Sequence, residues 1–212
     1  MKSIKIFFFV ILTNSIIFAQ IDLTAGMGIS FVNNSSLQDY LNSSFSSTDN
    51  LGSFNSMLDL FAEADYSLSE KYQVGLEYNY SLFSYNSSYG VLGQYELNLI
   101  HHKPSLLAYY VISGYGYKFK FGGGFGIRII DLDEKIGLIK NYSTTGIGFV
   151  LKTQGFTALS QSVFANIGVT ARYDVPGEPE NNGRKIFDNS IGKPVNINSL
   201  SVGVNLGISY FF

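Results

Sequence analysis

The 212-residue chain contains no cysteine and no tryptophan. Without thiols it can form no disulfide, no thiolate metal site and no cysteine nucleophile. Charge is also scarce: 14% of residues are Asp, Glu, Lys or Arg, against about a quarter in an ordinary soluble chain. The 14 basic and 16 acidic side chains leave a formal net charge of −2, so no basic excess marks a nucleic-acid binder. After the N-terminal leader, no apolar run reaches the roughly 20 residues that a spanning helix needs. Aromatic side chains (15 Tyr, 18 Phe) and 22 Gly fill the composition instead. This suits a chain that presents apolar surface to something other than water.

Met1 to Ala19 read as a secretory signal peptide. Lys2 and Lys5 form a positive start. Ile6 to Leu12 is an unbroken apolar run, resumed by Ile16, Ile17 and Phe18 after Thr13-Asn14-Ser15. Ala19 supplies the small residue before a cut that leaves residues 20–212 as one exported domain. If that domain sits in a membrane, it must cross as strands, because lipid satisfies no backbone polar group.

Period-two alternation is the strongest signal in the rest of the chain. Leu200 to Phe212 sets Leu200, Val202, Val204, Leu206, Ile208, Tyr210 and Phe212 against Ser201, Gly203, Asn205, Gly207, Ser209 and Phe211. The same pattern runs through Ile21 to Phe31, Leu58 to Leu68, Tyr72 to Leu82, Tyr117 to Ile129 and Val163 to Tyr173. Two further segments alternate less cleanly. Residues 143 to 154 do so loosely. Residues 93 to 112 begin with Tyr95, Leu97 and Leu99 on the apolar parity and Gln94, Glu96 and Asn98 on the polar one, until His101-His102-Lys103-Pro104 interrupts. Proline lacks a ladder donor, so a bulge is expected near Pro104.

These segments make eight strands. Their connections alternate between short (Ser69 to Lys71, Ser113 to Gly116, Gln154 to Ser160) and long and polar (Val32 to Ser56, Phe83 to Leu92, Ile130 to Tyr142, Asp174 to Asn198). The expected fold is an eight-stranded antiparallel up-and-down transmembrane β-barrel, with both termini at the short-turn end. The polar parity is rich in Gly and Ser, as a crowded lumen requires and a water-facing wall does not. Aromatics fall near expected strand ends: Tyr66, Tyr72, Tyr117 and Tyr210 at one level, Phe31, Tyr80, Tyr142 and Tyr173 at the other, the places of two interfacial girdles.

The ending Leu206-Gly-Ile-Ser-Tyr-Phe-Phe212, an alternating strand closed by Phe, resembles the C-terminal signal of outer-membrane proteins. With the leader, the length and the topology, the chain resembles the small OmpA/OmpX-like, porin-like outer membrane barrels. The resemblance implies an outer-membrane location in a Gram-negative envelope and insertion by the barrel assembly machinery. In that reading Leu206, Ile208, Tyr210 and Phe212 form the assembly signal. The implied surroundings are outer-membrane lipid and, through the long loops, an extracellular partner.

Chemistry-bearing residues are few. Counted from the short turns, Glu63, Glu77, Lys120 and Lys152 share a parity and a height, which points to lumen salt bridges joined by Asp59, Arg128 and Arg172. An ion gate or a catalytic site is the functional alternative. His101 and His102 are adjacent on a strand and face opposite ways, so they do not ligate one metal. The His-x-Ser pattern associated with lipid A deacylase barrels is absent, since Lys103 and Pro104 follow. Gly122 to Gly126 has no following helix and is no phosphate loop. Leu37, Tyr40, Leu41 and Phe45 are spaced for one short amphipathic helix in the first long loop. The residues therefore point to a non-enzymatic barrel without cofactor or metal, with a plugged polar lumen and a structural or surface-interaction role. A small-solute or ion channel is the alternative, and a lipid-modifying enzyme comes third.

Overall fold

The computed structural model describes residues 21–44, 55–88 and 93–212. The signal-peptide reading of Met1 to Ala19 and the place of Phe45 lie outside these residues. The chain runs β1 (Ile21–Asn33), α1 (Ser35–Ser44), β2 (Asn55–Ser69), β3 (Tyr72–Ser88), β4 (Gln94–Gly114), β5 (Tyr117–Ile136), β6 (Leu138–Ala158) and β7 (Val163–Val175). Four two-residue strands follow, β8 (Glu180–Asn181), β9 (Arg184–Lys185), β10 (Phe187–Asp188) and β11 (Lys193–Pro194), before β12 (Ser199–Phe211). β1 to β7 and β12 form one antiparallel ring in the order β5-β4-β3-β2-β1-β12-β7-β6, closed by β5 on β6. Closure leaves no unpaired edge in the wall, as lipid requires.

The outward parity is apolar on every wall strand. On β12, Leu200, Val202, Val204, Leu206, Ile208 and Tyr210 are all exposed while Ser201 and Ser209 are buried. Leu206, Ile208, Tyr210 and Phe212, the residues of the terminal signature, therefore all face outward. Tyr66, Tyr72, Tyr117 and Tyr210 ring the short-turn end, and Phe31 and Tyr173 stand on the far side of the apolar belt.

The strands are unequal. β1, β7 and β12 have 13 residues, whereas β4, β5 and β6 have 20 or 21. A tilted strand crosses the hydrocarbon in about 9–11 residues, so one side of the wall stands well beyond it. This corrects three readings of the sequence. Ile130 to Tyr142 is not a long loop but the paired ends of β5 and β6, turning at Gly137, whose φ of +72° favours glycine. Most of Phe83 to Leu92 is strand as well. Tyr95, Leu97 and Leu99 face inward, not outward, and are 0–1% exposed. Beyond the lipid the outside is water, so the wall reverses: Asn98 and Asp131 face out while Leu97, Leu99, Ile130 and Leu132 face in. Tyr142 joins this inner cluster and is not part of a girdle.

No bulge forms at Pro104. Tyr78 pairs with Pro104 in an unbroken β3–β4 register. The β4–β5 offset is also the same on both sides, His102 opposite Ile129 and Ser105 opposite Gly126. Pairing lapses only at Lys103 and Pro104, so the missing N–H costs ladder contacts and not register. The β2–β3 ladder shifts register instead between Ser67 and Ser69, beside the short turn.

The inside-outside assignment has a direct test. Val204→Arg places a charge on the lipid wall and should destabilise by about 2–4 kcal/mol near the midplane. Ser201→Ala, on the lumen side of the same strand, should cost about 1 kcal/mol or less. Denaturant titration of folding into lipid vesicles measures both; equal losses would reverse the assignment.

Candidate functional site

The inward parity carries charge at three levels. Nearest the short turns, Asp22 of β1 and Asp65 of β2 meet Lys118 and Lys120 of β5. Lys120 Nζ lies 2.6 Å from Asp65 Oδ2 and 3.0 Å from Asp22 Oδ2, and Lys118 Nζ lies 2.8 Å from the same Asp22 oxygen. Gln73 Nε2 donates to Asp22 at 2.9 Å. Below them, Phe211 stacks on Phe164 at 4.2 Å, with the Lys118 ammonium 3.8 Å above the Phe211 ring. Cation and ring quadrupole attract each other there.

At the middle level Glu63 of β2 and Glu77 of β3 stand directly opposite each other on neighbouring strands. Like charges so placed repel. Lys152 of β6 bonds both carboxylates, Glu77 Oε2 at 2.5 Å. Arg172 of β7 takes the other Glu77 oxygen at 2.5 Å, and Tyr109 Oη donates to Glu63 at 3.0 Å. These bridges span the full width of the ring, from β2 to β6 and from β3 to β7.

At the third level Arg128 of β5 bonds Asp174 of β7 and donates to Ser105 Oγ at 3.1 Å. Asp59 of β2 accepts the hydroxyls of Ser30 and Ser81. Lys103 of β4 has Asp174 Oδ2 at 3.8 Å. Gly148 makes room here: a Cβ on it would collide with the Arg128 guanidinium. Gly75 does the same for the Asp65 carboxylate.

The structure brings Glu63, Glu77, Lys152 and Arg172 of the expected network together. Lys120 sits one level nearer the short turns, on Asp65 and Asp22, and Asp59 and Arg128 sit one level above. Counting from the turns ignored the tilt of the strands, which staggers equivalent positions around a barrel. Five members are new to the expected network: Asp22, Asp65, Lys118, Lys103 and Asp174. Asp22, Asp65 and Lys118 stand on the polar parity of their strands. Lys103 was hidden by the apparent break at Pro104, and Asp174 was read as the start of a loop.

Above the charges lies an apolar cap. Leu37 and Leu41 of α1 pack with Met57, Tyr95, Leu97, Leu99, Ile130, Leu132, Ile186, Val195 and Ile197. Asn34 starts the helix by accepting from Leu37 N at 2.9 Å. Tyr40 and Tyr95 donate to Glu134 Oε1 at 2.6 and 3.1 Å, anchoring α1 to the tall wall. Burial, and then the Glu134 carboxylate, push both phenols well above the usual tyrosine range. A cavity of about 30 Å³ remains between cap and charges. His101 faces this interior, whereas His102 faces out against Tyr78 and Tyr80. Among the described residues no group of three or more His, Asp or Glu is placed to hold a metal.

The closed ring of eight antiparallel strands has solved counterparts. The neisserial surface protein A structure matches with a TM-score of 0.52 at 13% identity, over 91% of this chain and 97% of that one. Ail, the attachment invasion locus protein of Yersinia pestis, in complex with the heparin analogue sucrose octasulfate, gives 0.52 at 10% identity, over 92% and 99%. This chain has the fold of the small eight-stranded outer-membrane barrels. No family model matches it, and no curated protein matches it in sequence.

The middle level yields a stability prediction. Lys152→Met leaves Glu63 and Glu77 facing each other inside the ring and should cost about 3–5 kcal/mol. Adding Glu63→Gln should recover part of that loss, because the two sites are coupled. A purely additive double variant in denaturant unfolding would show that Lys152 does not hold the pair.

Proposed function

We propose that the protein is a non-enzymatic outer-membrane barrel whose lumen is closed, with a structural or surface-interaction role exercised from the long-strand end. The observation that carries this reading is the filled interior. Three levels of cross-barrel ion pairs lie under an apolar cap, and Lys120, Arg128, Lys152 and Glu77 are 0–1% exposed. A conducting pore needs water along its axis, and screened pairs in water contribute only about 0–1 kcal/mol each. Paired charges held out of water are instead a packing solution for a lumen too narrow to keep them apart.

Two observations support the surface role. The apolar belt on the outer wall suits lipid contact, and the leader and terminal Phe read from the sequence suit export and assembly into an outer membrane. The β5–β6 hairpin, beyond that belt, ends in exposed Ile136, Leu138 and Ile139, the last two 80% and 63% exposed. Apolar side chains at the tip of a projecting hairpin offer contact area to another surface.

Planar-bilayer recording tests the reading. Purified protein should give no stepwise conductance in molar KCl, and Lys152→Met combined with Arg172→Met should not acquire it while the cap is intact. Reproducible steps from the native protein would replace the closed barrel by the channel reading.

A further inference from the structure

One stretch of the lipid-facing wall is dented. On the outer face of β3 to β6, Leu76, Leu106, Phe125, Ile127 and Ile147 stand around Pro104, and the depression between them has a volume of about 380 Å³. The proline is its cause. Val111 N donates to Lys71 O at 2.9 Å, so odd residues of β4 turn their backbone groups toward β3, and even ones, Pro104 included, toward β5. Ile127 stands opposite Pro104 in the register kept on both sides. Its carbonyl is therefore the acceptor that an N–H at position 104 would serve, and proline has none. Arg128 serves it instead: Nη1 donates to Ile127 O at 2.9 Å and to Pro104 O at 3.3 Å. The guanidinium closes the wall from the lumen side, so lipid meets a dent there and not a gap. A polar pair forms the upper lip of the dent. His102 is the next outward residue of β4 toward the long-strand end. Its ring lies 6.1 Å from the Tyr78 ring and 5.2 Å from the Tyr80 ring, and Nδ1 bonds Tyr78 Oη at 2.6 Å. With the phenol donating to Nδ1, the ring proton sits on Nε2. Nε2 lies 3.7 Å from Asp131 Oδ2. A donor and an acceptor thus stand side by side, too far apart to bond each other.

We propose that the dent binds one acyl lipid of the surrounding leaflet, its chain on Pro104 and a hydroxyl of its head on His102 and Asp131. The occupant is a lipid because the dent lies in the apolar belt, where acyl chains are the medium. A second barrel fits it less well: two convex walls touch along ridges, whereas a chain follows a concave floor. The head carries a hydroxyl because one group has to accept from His102 Nε2 and donate to Asp131, and a hydroxyl does both. A phosphate or carboxylate would accept from the imidazole but repel the Asp131 carboxylate, and an ammonium would suit Asp131 but not the Nε2 proton. The spacing agrees with this assignment. His102 stands two residues above Pro104, about 7 Å along the strand, so a chain seated on Pro104 brings its first carbons and its head linkage to the imidazole. Tyr78 and Tyr80 hold the ring in place before the lipid arrives, which lowers the ordering cost of binding. The site rests on the outer-membrane reading and not on a closed lumen.

Glycerol monomyristate is the probe, with methyl myristate (same chain and ester, no hydroxyl) as control, titrated into the full barrel in nanodiscs of deuterated phosphatidylcholine that hold one barrel each. Entry of the folded barrel into the discs checks the outer-membrane reading before any probe is added; a barrel that stays out would overturn that reading and the site with it. The Ile127 and Ile147 methyl and His102 ring resonances report occupancy. Glycerol monomyristate should shift all three saturably, and methyl myristate should need at least roughly tenfold more. His102→Phe keeps a ring without its nitrogens and should bring the two probes level. Pro104→Leu fills the floor and supplies the missing N–H. It should abolish the isoleucine shifts, so the test stands if His102→Phe does not fold. Shifts that grow linearly with either probe, indicating bulk lipid contact only, would overturn the site. So would equal binding of the two probes by the native barrel, or unchanged binding in Pro104→Leu. The same shifts in discs holding two barrels and no probe would give the dent to a second copy.

Discussion

Charge neutrality inside a narrow ring is the constraint on which the other features depend. At the three charged levels six acids (Asp22, Asp59, Glu63, Asp65, Glu77, Asp174) and six bases (Lys103, Lys118, Lys120, Arg128, Lys152, Arg172) face the lumen, two of each sign at each level. An ion moved from water into low dielectric is stable only if a partner arrives with it. The balance by level, and not merely overall, follows from the reach of side chains, since a lysine on one level cannot neutralise a carboxylate two levels away. Glycine at 75 and 148 follows as well, because the space a Cβ needs is held by Asp65 and Arg128.

A second boundary lies across the barrel axis. Within the lipid belt the outer wall is apolar and the lumen charged. Above it the outer wall bears Asn98 and Asp131, and the interior is apolar. Both faces change at one height because a single variable, the solvent outside, changes there. Water around the upper wall lets the interior adopt the apolar packing of an ordinary soluble core. α1 seats Leu37 and Leu41 in that core, and Tyr40 ties it to Glu134 on the tall side.

The sequence showed the strands and the lipid-facing parity clearly where the two faces differ most in chemistry. Leu200 to Phe212 is unambiguous because apolar out and small or polar in alternate without exception up to Ser209. Tyr95, Leu97 and Leu99 were misplaced because apolar residues mark the outside only within lipid, and nothing local says where the lipid stops. Lys103 was lost because Pro104 reads as a break, whereas here proline gives up two ladder positions and keeps the register. The network was legible as a set of charges on one parity. Which acid meets which base was not, because that depends on the stagger of tilted strands, a property of the closed ring.

The cross-barrel bridges have a consequence for how the chain reaches its membrane-inserted state. Lys152 is separated in sequence from Glu63 by 89 residues and from Glu77 by 75, and Arg172 is 95 residues from Glu77. The β2–β3 hairpin thus carries two facing carboxylates whose counter-ions are supplied only by β6 and β7. A hairpin-by-hairpin entry into lipid would drag those carboxylates through hydrocarbon unpaired. The assembling chain therefore has to keep its inner face wet until the late strands arrive, so that water leaves and the bridges form together in one cooperative closing event.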